Sequence, residues 1–220
     1  CLGERIREEG LRVVGVPTST RTAELARQVG VPVASLDEVK WLDLTIDGAD
    51  EFDPNLALIK GGGAALLQEK IVATASDQMI VIADAAKEVA QLGSFPLPVE
   101  IIPFGWQTTK ALVEELLVGM DVLDRDVTLR MNGDKPLLTD EANYIVDLHL
   151  RRIGNPRQLS LVLNQIPGVV ENWLFIDICD IVIIGHGDGR VTVRDINEGT
   201  EKDDRILFAP SQNIFADLGD

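Results

Sequence analysis

The chain has 220 residues, 45% of them hydrophobic, which is enough for one large domain or two small ones around a packed core. Its 36 acidic against 20 basic residues give a formal charge of -16, a field that repels nucleic acid and anionic lipid, so a phosphate-bearing ligand has to be small and met by locally placed cations. No apolar run is long enough to cross a bilayer, and the two cysteines, Cys1 and Cys179, have neither metal-ligand nor redox spacing, which points to a soluble protein in a reducing, cytoplasmic setting, with a plastid as the other compartment of that kind.

The chain opens on Cys rather than Met, and CLGERIREEG is too charged for the core of a secretory signal. It reads as the tail of a helix, Glu4 to Glu9, ended by Gly10, and suggests a fragment of a longer polypeptide. LRVVGV, Leu11 to Val16, predicts a buried strand; PTST offers a turn and a cap for a helix from about Thr22 to Val29. VPVAS predicts a short strand and WLDLTIDGADEFD another, whose apolar half stops at Asp47, where open α/β sheets place their ligands. Lys60 and three glycines lead into AALLQEKIVATAS, which has helical spacing. MIVIADAAK follows as a continuous apolar strand typical of a sheet covered on both faces.

After the proline-rich SFPLPVEIIPFG the pattern changes. A strand near Pro98 to Ile102 precedes a helix from about Thr108 to Leu117, strands around Asp126 to Met131, Leu137 to Thr139 and Tyr144 to Leu148, and a helix from about Pro156 to Gln165, a βαββαβ-like order. DICDIVIIGHGDGRVTV returns to a hydrophobic strand and a Gly-Asp-Gly turn that rejoins the first unit. The expected fold is therefore α/β: a Rossmann-like, mostly parallel sheet domain made of 1–98 and 177–194, interrupted by a smaller α+β, ferredoxin-like insertion domain over 99–176. An acidic, aperiodic extension over 195–220 is expected to be loosely held or processed.

Two segments carry candidate chemistry. In IDGADEFD four carboxylates, Asp47, Asp50, Glu51 and Asp53, crowd one strand exit. Such a cluster is a solvated turn, a cation site, or a group with raised pKa values suited to proton transfer, and the flanking residues make no EF-hand pattern. In IKGGGAALLQEK a cation, a glycine run and a helix start follow one another. Gly61, Gly62 and Gly63 let backbone approach a ligand, although the segment matches neither the Rossmann nor the Walker glycine pattern. Glu69 on that helix is either a general base or a surface carboxylate, and Lys87, after MIVIADAA, either anchors phosphate or is an exposed lysine. His149 and His186 have no evident partner in this scheme and stay outside the expected site.

DGADE and KGGGAALLQEK, followed in order by VIADAAK, FPLPVEIIP, IPGVV and GDGRV, resemble the A-type ribose-5-phosphate isomerases from about Leu11 to Val193. The resemblance implies an aldose-ketose isomerase that interconverts D-ribose 5-phosphate and D-ribulose 5-phosphate through an enediolate, in the non-oxidative branch of the pentose phosphate pathway, with no metal and no cofactor. Carried over, Glu69 is the general base, Asp47 and Asp50 bind the sugar and assist ring opening, Lys60 supports the enediolate and Lys87 binds phosphate. Gly48, Ala49, Gly61, Gly62 and Gly63 complete the substrate site. The implied partners are a small sugar phosphate and further copies of the chain in a homodimer or homotetramer, with no nucleic acid and no membrane.

One departure is plain: the family's glycine-, serine- and threonine-rich phosphate loop follows its first strand, and no such segment precedes Leu11. PTST follows what matches the second strand. Three other readings stand beside the isomerase: a phosphosugar-sensing, non-catalytic domain, a coenzyme A transferase-like enzyme with Glu69 as nucleophile, and a truncated, inactive isomerase.

Overall fold

The computed structural model describes residues 2–63 and 66–205, so Cys1, the first two residues expected in the glycine-motif helix and most of the acidic extension lie outside the described residues. The first part of the chain contains helices α1 (Leu2–Glu9), α2 (Thr20–Gln28) and α3 (Leu36–Val39), strands β1 (Thr45–Asp47), β2 (Glu51–Phe52) and β3 (Leu58–Ile59), helix α4 (Leu66–Thr74) and strand β4 (Met79–Asp84). Next come β5 (Leu97–Ile101), α5 (Trp106–Val118), β6 (Asp126–Leu129), β7 (Met131–Asn132), β8 (Lys135–Pro136), β9 (Tyr144–His149), α6 (Pro156–Leu163), β10 (Val169–Asn172) and β11 (Leu174–Phe175). The last strands are β12 (Ile181–Gly185), β13 (Arg190–Asp195) and β14 (Thr200–Arg205).

Local chemistry sets many of these limits. Gly10 ends α1 with φ of 68°, a left-handed conformation that glycine adopts without strain. Ser19 caps α2 by accepting the Thr22 amide, Ser35 and Glu38 form a reciprocal capping box on α3, and Asn155 caps α6 ahead of Pro156.

β1, β4 and β12 are parallel neighbours in a five-stranded sheet of order β1-β4-β12-β13-β14, with β1 at one edge, and the last two pairings are antiparallel. A second sheet of order β10-β5-β9-β6 is antiparallel throughout. With α5 and α6 as its crossovers, it has the ferredoxin-like βαββαβ order, and the β7–β8 hairpin is added between β6 and β9. A small sheet of order β11-β3-β2 joins the two. It places the buried Trp173, Phe52 and Phe175 in one apolar cluster that runs from Val81 and Val182 in the first sheet to Leu97 and Val146 in the second.

Several expectations need correction. Leu11 to Val16 is not a strand: only Gly15 forms an isolated bridge, to Val33, and the expected VPVAS strand shrinks to that same bridge, with α3 starting directly after it. Nor is Leu11 to Val16 buried, since Val13 and Val14 are 37% and 56% exposed, and neither segment meets a neighbour in register beyond one residue. The strand expected at Leu137 to Thr139 lies two residues earlier, as β8, because the Asn132–Lys135 turn fixes the hairpin's register.

The central sheet is not covered on both faces by described residues. α4 packs on one side, with the Thr45 hydroxyl reaching the Val72 carbonyl at 3.4 Å, while Ile46 and Ile82 on the other are 60% and 54% exposed. Nor is the extension loosely held between Asp195 and Arg205. Gly199 turns the chain at φ of 63°, and β14 pairs with β13 along its whole length. Cross-strand charges hold it in place of apolar side chains, Arg194 with Glu201 at 2.9 Å and the Thr192 hydroxyl with Asp203 at 2.6 Å, which is why no hydrophobic period marks it.

Candidate active site

The site lies at the carboxyl end of β1 and the exit of β3, where the sheet's turns meet the start of α4. Lys60 leaves β3 with a side chain only 4% exposed, and its Nζ reaches the Gly48 carbonyl at 2.6 Å, Asp47 Oδ2 at 2.7 Å and Glu69 Oε2 at 3.4 Å. These three acceptors use the three protons of the ammonium. The face of the Phe175 ring closes the cation from below, its centroid 5.5 Å from Nζ.

Asp47 turns its other oxygen to the Gly48 amide at 2.7 Å, and Asp50 Oδ2 accepts the Gly62 amide at 2.8 Å. Gly62 leaves room for this carboxylate, because a Cβ there would stand 2.9 Å from Asp50 Oδ1 and push the Asp50 side chain aside. A cavity of about 220 Å³ is lined by Asp47, Gly48, Ala49, Asp50, Lys60, Gly61, Gly62, Gly63 and Glu69, so these nine expected residues share one small space. Lys87 does not line it; it ends the short turn after β4, half-buried.

Glu69 sits in the first turn of α4, and burial pushes its carboxyl up from an ordinary 4.5 to about 7. Lys60 opposes that shift, while the nearby Asp47 and Asp50 add to it. Lys60 cannot cancel the effect of burial because Asp47 stands closer to it than Glu69 does. A carboxyl that titrates near neutrality can both take a proton and return it.

The acidic cluster divides. Asp47 and Asp50 face the cavity, but Glu51 and Asp53 are buried and satisfied by backbone amides. Glu51 accepts from Gly93 at 2.7 Å and Phe95 at 2.5 Å, and Asp53 accepts from Asn55 and Ala57 at 2.9 and 3.0 Å. Two of the four carboxylates therefore fasten loops. Within the glycine run, the Gly62 N–H is likewise committed to a side chain, that of Asp50.

Four residues near the site carry no signal that sequence spacing could reveal. Thr18 and Ser19 of the PTST turn line a larger groove, about 470 Å³, together with Asp47 and Glu69. Arg130, seventy residues downstream of Lys60, donates from Nη1 to the Gly61 carbonyl at 2.8 Å. Phe175 lies beneath both Lys60 and Lys70.

The remaining candidates are structural. His186 has a partner after all: its Nε2 is 2.9 Å from the Thr192 hydroxyl inside the β12–β13 turn. His149 meets the Thr128 hydroxyl across β6 and β9 at 2.9 Å. Burial pushes the Cys179 thiol up to about 12, so it is no nucleophile at neutral pH.

The sequence profile of the family described as ribose 5-phosphate isomerase A (phosphoriboisomerase A) matches residues 14–189. Ribose-5-phosphate isomerase A of Ruegeria pomeroyi is 72% identical over the whole chain, which covers 84% of that protein, and that of Cereibacter sphaeroides is 74% identical with the same coverage. Among solved structures, a D-ribose-5-phosphate isomerase in complex with phospho-erythronic acid matches with a TM-score of 0.78 and 41% identity, over 93% of this chain and 83% of that one. The ribose 5-phosphate isomerase A of Methanocaldococcus jannaschii matches with a TM-score of 0.76 and 36% identity, over 93% and 84%. These relatives are isomerases, which leaves the sensor and transferase readings unfavoured. With a matching profile, high identity and matching architecture, the chain belongs to the ribose 5-phosphate isomerase A family.

Proposed function

We propose that the cavity between β1, β3 and α4 performs the family's reaction, the interconversion of D-ribose 5-phosphate and D-ribulose 5-phosphate, with Glu69 as the base. One observation carries this assignment: the half-buried Glu69 carboxyl, its pKa raised by burial, lies 3.4 Å from a buried lysine that a second carboxylate holds at 2.7 Å. Glu69 takes the proton from carbon 2 and returns it to carbon 1. The enediolate between the two transfers carries negative charge, which the fixed Lys60 ammonium offsets without reorganising. Asp47 and Asp50 hold sugar hydroxyls and assist ring opening, Gly48, Ala49 and Gly61 to Gly63 shape the wall, and Lys87 meets the phosphate from the sheet's carboxyl edge. Thr18 adds a hydroxyl on the groove side, while the Ser19 hydroxyl is committed to Thr22 at the start of α2. The acid-base groups present account for the proton transfers with no metal and no organic cofactor.

The same reading divides the chain into a catalytic unit of 1–98 and 177–194, an insertion of 99–176 and an extension from 195, and makes the assembly a cytoplasmic homodimer or homotetramer. No helix among the described residues is long and apolar enough to cross a membrane. Exposed apolar side chains at Phe104, Leu112 and Val118 offer a face for a second copy.

The test is ribulose 5-phosphate formation in excess chelator by the chain and by Glu69→Gln. Turnover in the parent and a loss of about a thousandfold in the variant support the reading. Normal turnover in Glu69→Gln removes Glu69 as the base, and thioester trapping with an acyl-CoA then tests it as a nucleophile.

A further inference from the structure

The peptide unit between Gly61 and Gly62 is held at both ends. Its carbonyl accepts from Arg130 Nη1 at 2.8 Å, and its amide donates to Asp50 Oδ2 at 2.8 Å. Arg130 follows β6 and is itself fixed: its Nε donates to Asp147 Oδ2 on β9 at 2.8 Å, and its Nη2 pairs with Asp147 Oδ1. Both side chains of that pair are about 15% exposed, Arg130 at 16% and Asp147 at 15%. Gly61 takes φ of 110°, a backbone conformation few other residues enter, so the peptide's orientation depends on the groups that grip it.

From this geometry we infer that Arg130 is a positioning residue for the isomerisation. Through the Gly61–Gly62 peptide it orients Asp50 and so couples the four-stranded antiparallel sheet to the sugar site. The inference rests on Asp50 contacting the sugar, as set out above. Physically, a guanidinium on the carbonyl polarises the peptide and strengthens its amide as a donor to the Asp50 carboxylate. It also removes the alternative in which the peptide turns over, directs its carbonyl at Asp50 and repels it. Asp147 preorganises the guanidinium, so three of its donors are committed in a fixed plane.

The experiment is a double-mutant cycle on kcat/KM with Arg130→Ala, Asp50→Asn and the double variant, alongside Glu69→Gln, Arg130→Lys and Arg152→Ala. Arg152 pairs with Asp121 in the same antiparallel unit, away from the cavity lining, and controls for general loss of an ion pair. Arg130→Ala is expected to lower kcat/KM about tenfold, and adding it to Asp50→Asn to cost less than about threefold more, because its effect passes through Asp50. Arg130→Lys, which can keep one of the two contacts, should fall between parent and Ala, and Arg152→Ala should match the parent.

Multiplicative losses in the cycle, or Arg130→Ala within threefold of the parent, would overturn the inference. If Arg130→Ala does not fold, the same cycle with Arg130→Lys decides by the same criteria. Normal turnover in Glu69→Gln would mean that the site assignment itself has failed. Loss there with a normal Arg130→Ala would mean that only the role of Arg130 has failed.

Discussion

Glu69 is held near its protonated form by burial, and this sets a pH dependence for both rate and stability. As a base it has to be ionised, so kcat/KM should rise with pH through about 7 and level off above it, which a pH-rate profile checks directly. For stability the sign reverses. The folded-state pKa lies above the ordinary 4.5, so the contribution of this group is complete below 4.5 and is lost as pH rises through 7. Glu69→Gln removes that loss, and its stability relative to the parent should improve by roughly 1 to 3 kcal/mol between pH 5.5 and 8.5. Denaturant melts at the two pH values measure it, and an equal difference at both would show that the carboxyl is not perturbed. Gly62 offers a steric counterpart. A methyl there meets Asp50 Oδ1 at 2.9 Å, so Gly62→Ala should displace Asp50 and lower kcat/KM about tenfold or more, with a melting temperature close to the parent's.

At the scale of elements, α4 carries the proposed base and has to keep its rotation and height. Lys70, the residue after Glu69, is buried on the helix's inner side. Its Nζ reaches Glu171 Oε1 at 3.1 Å and the Asn172 carbonyl at 2.8 Å on β10, above the Phe175 ring at 5.4 Å. Burial lowers the Lys70 pKa, against the pull of Glu171. Lys70→Ala would leave Glu171 without its cation in a half-buried place and should cost about 3 kcal/mol in urea unfolding. A cost under about 1 kcal/mol would mean that Asn164, which also donates to Glu171 at 2.8 Å, suffices. Gln68, one residue before Glu69, reaches Glu141 at 2.7 Å, so α4 is tied to the antiparallel unit on either side of Glu69.

For the molecule as a whole, 36 acidic against 20 basic residues imply self-repulsion that salt screens. The melting temperature should rise by a few degrees between about 10 mM and 150 mM sodium chloride; a fall would mean that specific ion pairs such as Arg194 with Glu88 and Glu201 outweigh the net charge.

Much of this fold could be read in advance. α2, α4, α5 and α6 announce themselves by helical spacing, α2 also by the cap that PTST offers. β4, β9 and β12 do so by dense apolar runs, because burial leaves a periodic trace wherever an element has a packed face. The same logic fails at Leu11 to Val16, apolar without a strand partner, and at β14, a strand without apolar residues. The amino-acid sequence by itself determined the α/β class, the ferredoxin-like order of the inserted elements and the family, and it brought Asp47, Lys60 and Glu69 forward, because local pattern and motif order are properties of neighbours along the chain. Only the tertiary structure decided that Glu51 and Asp53 fasten loops while Asp47 and Asp50 face the cavity. It also decided that the Gly62 amide is committed and that Arg130 reaches Gly61 from 69 residues away. Which carboxylate meets a cation and which meets backbone depends on contacts between residues far apart in sequence, and those distances exist only once the sheets have packed.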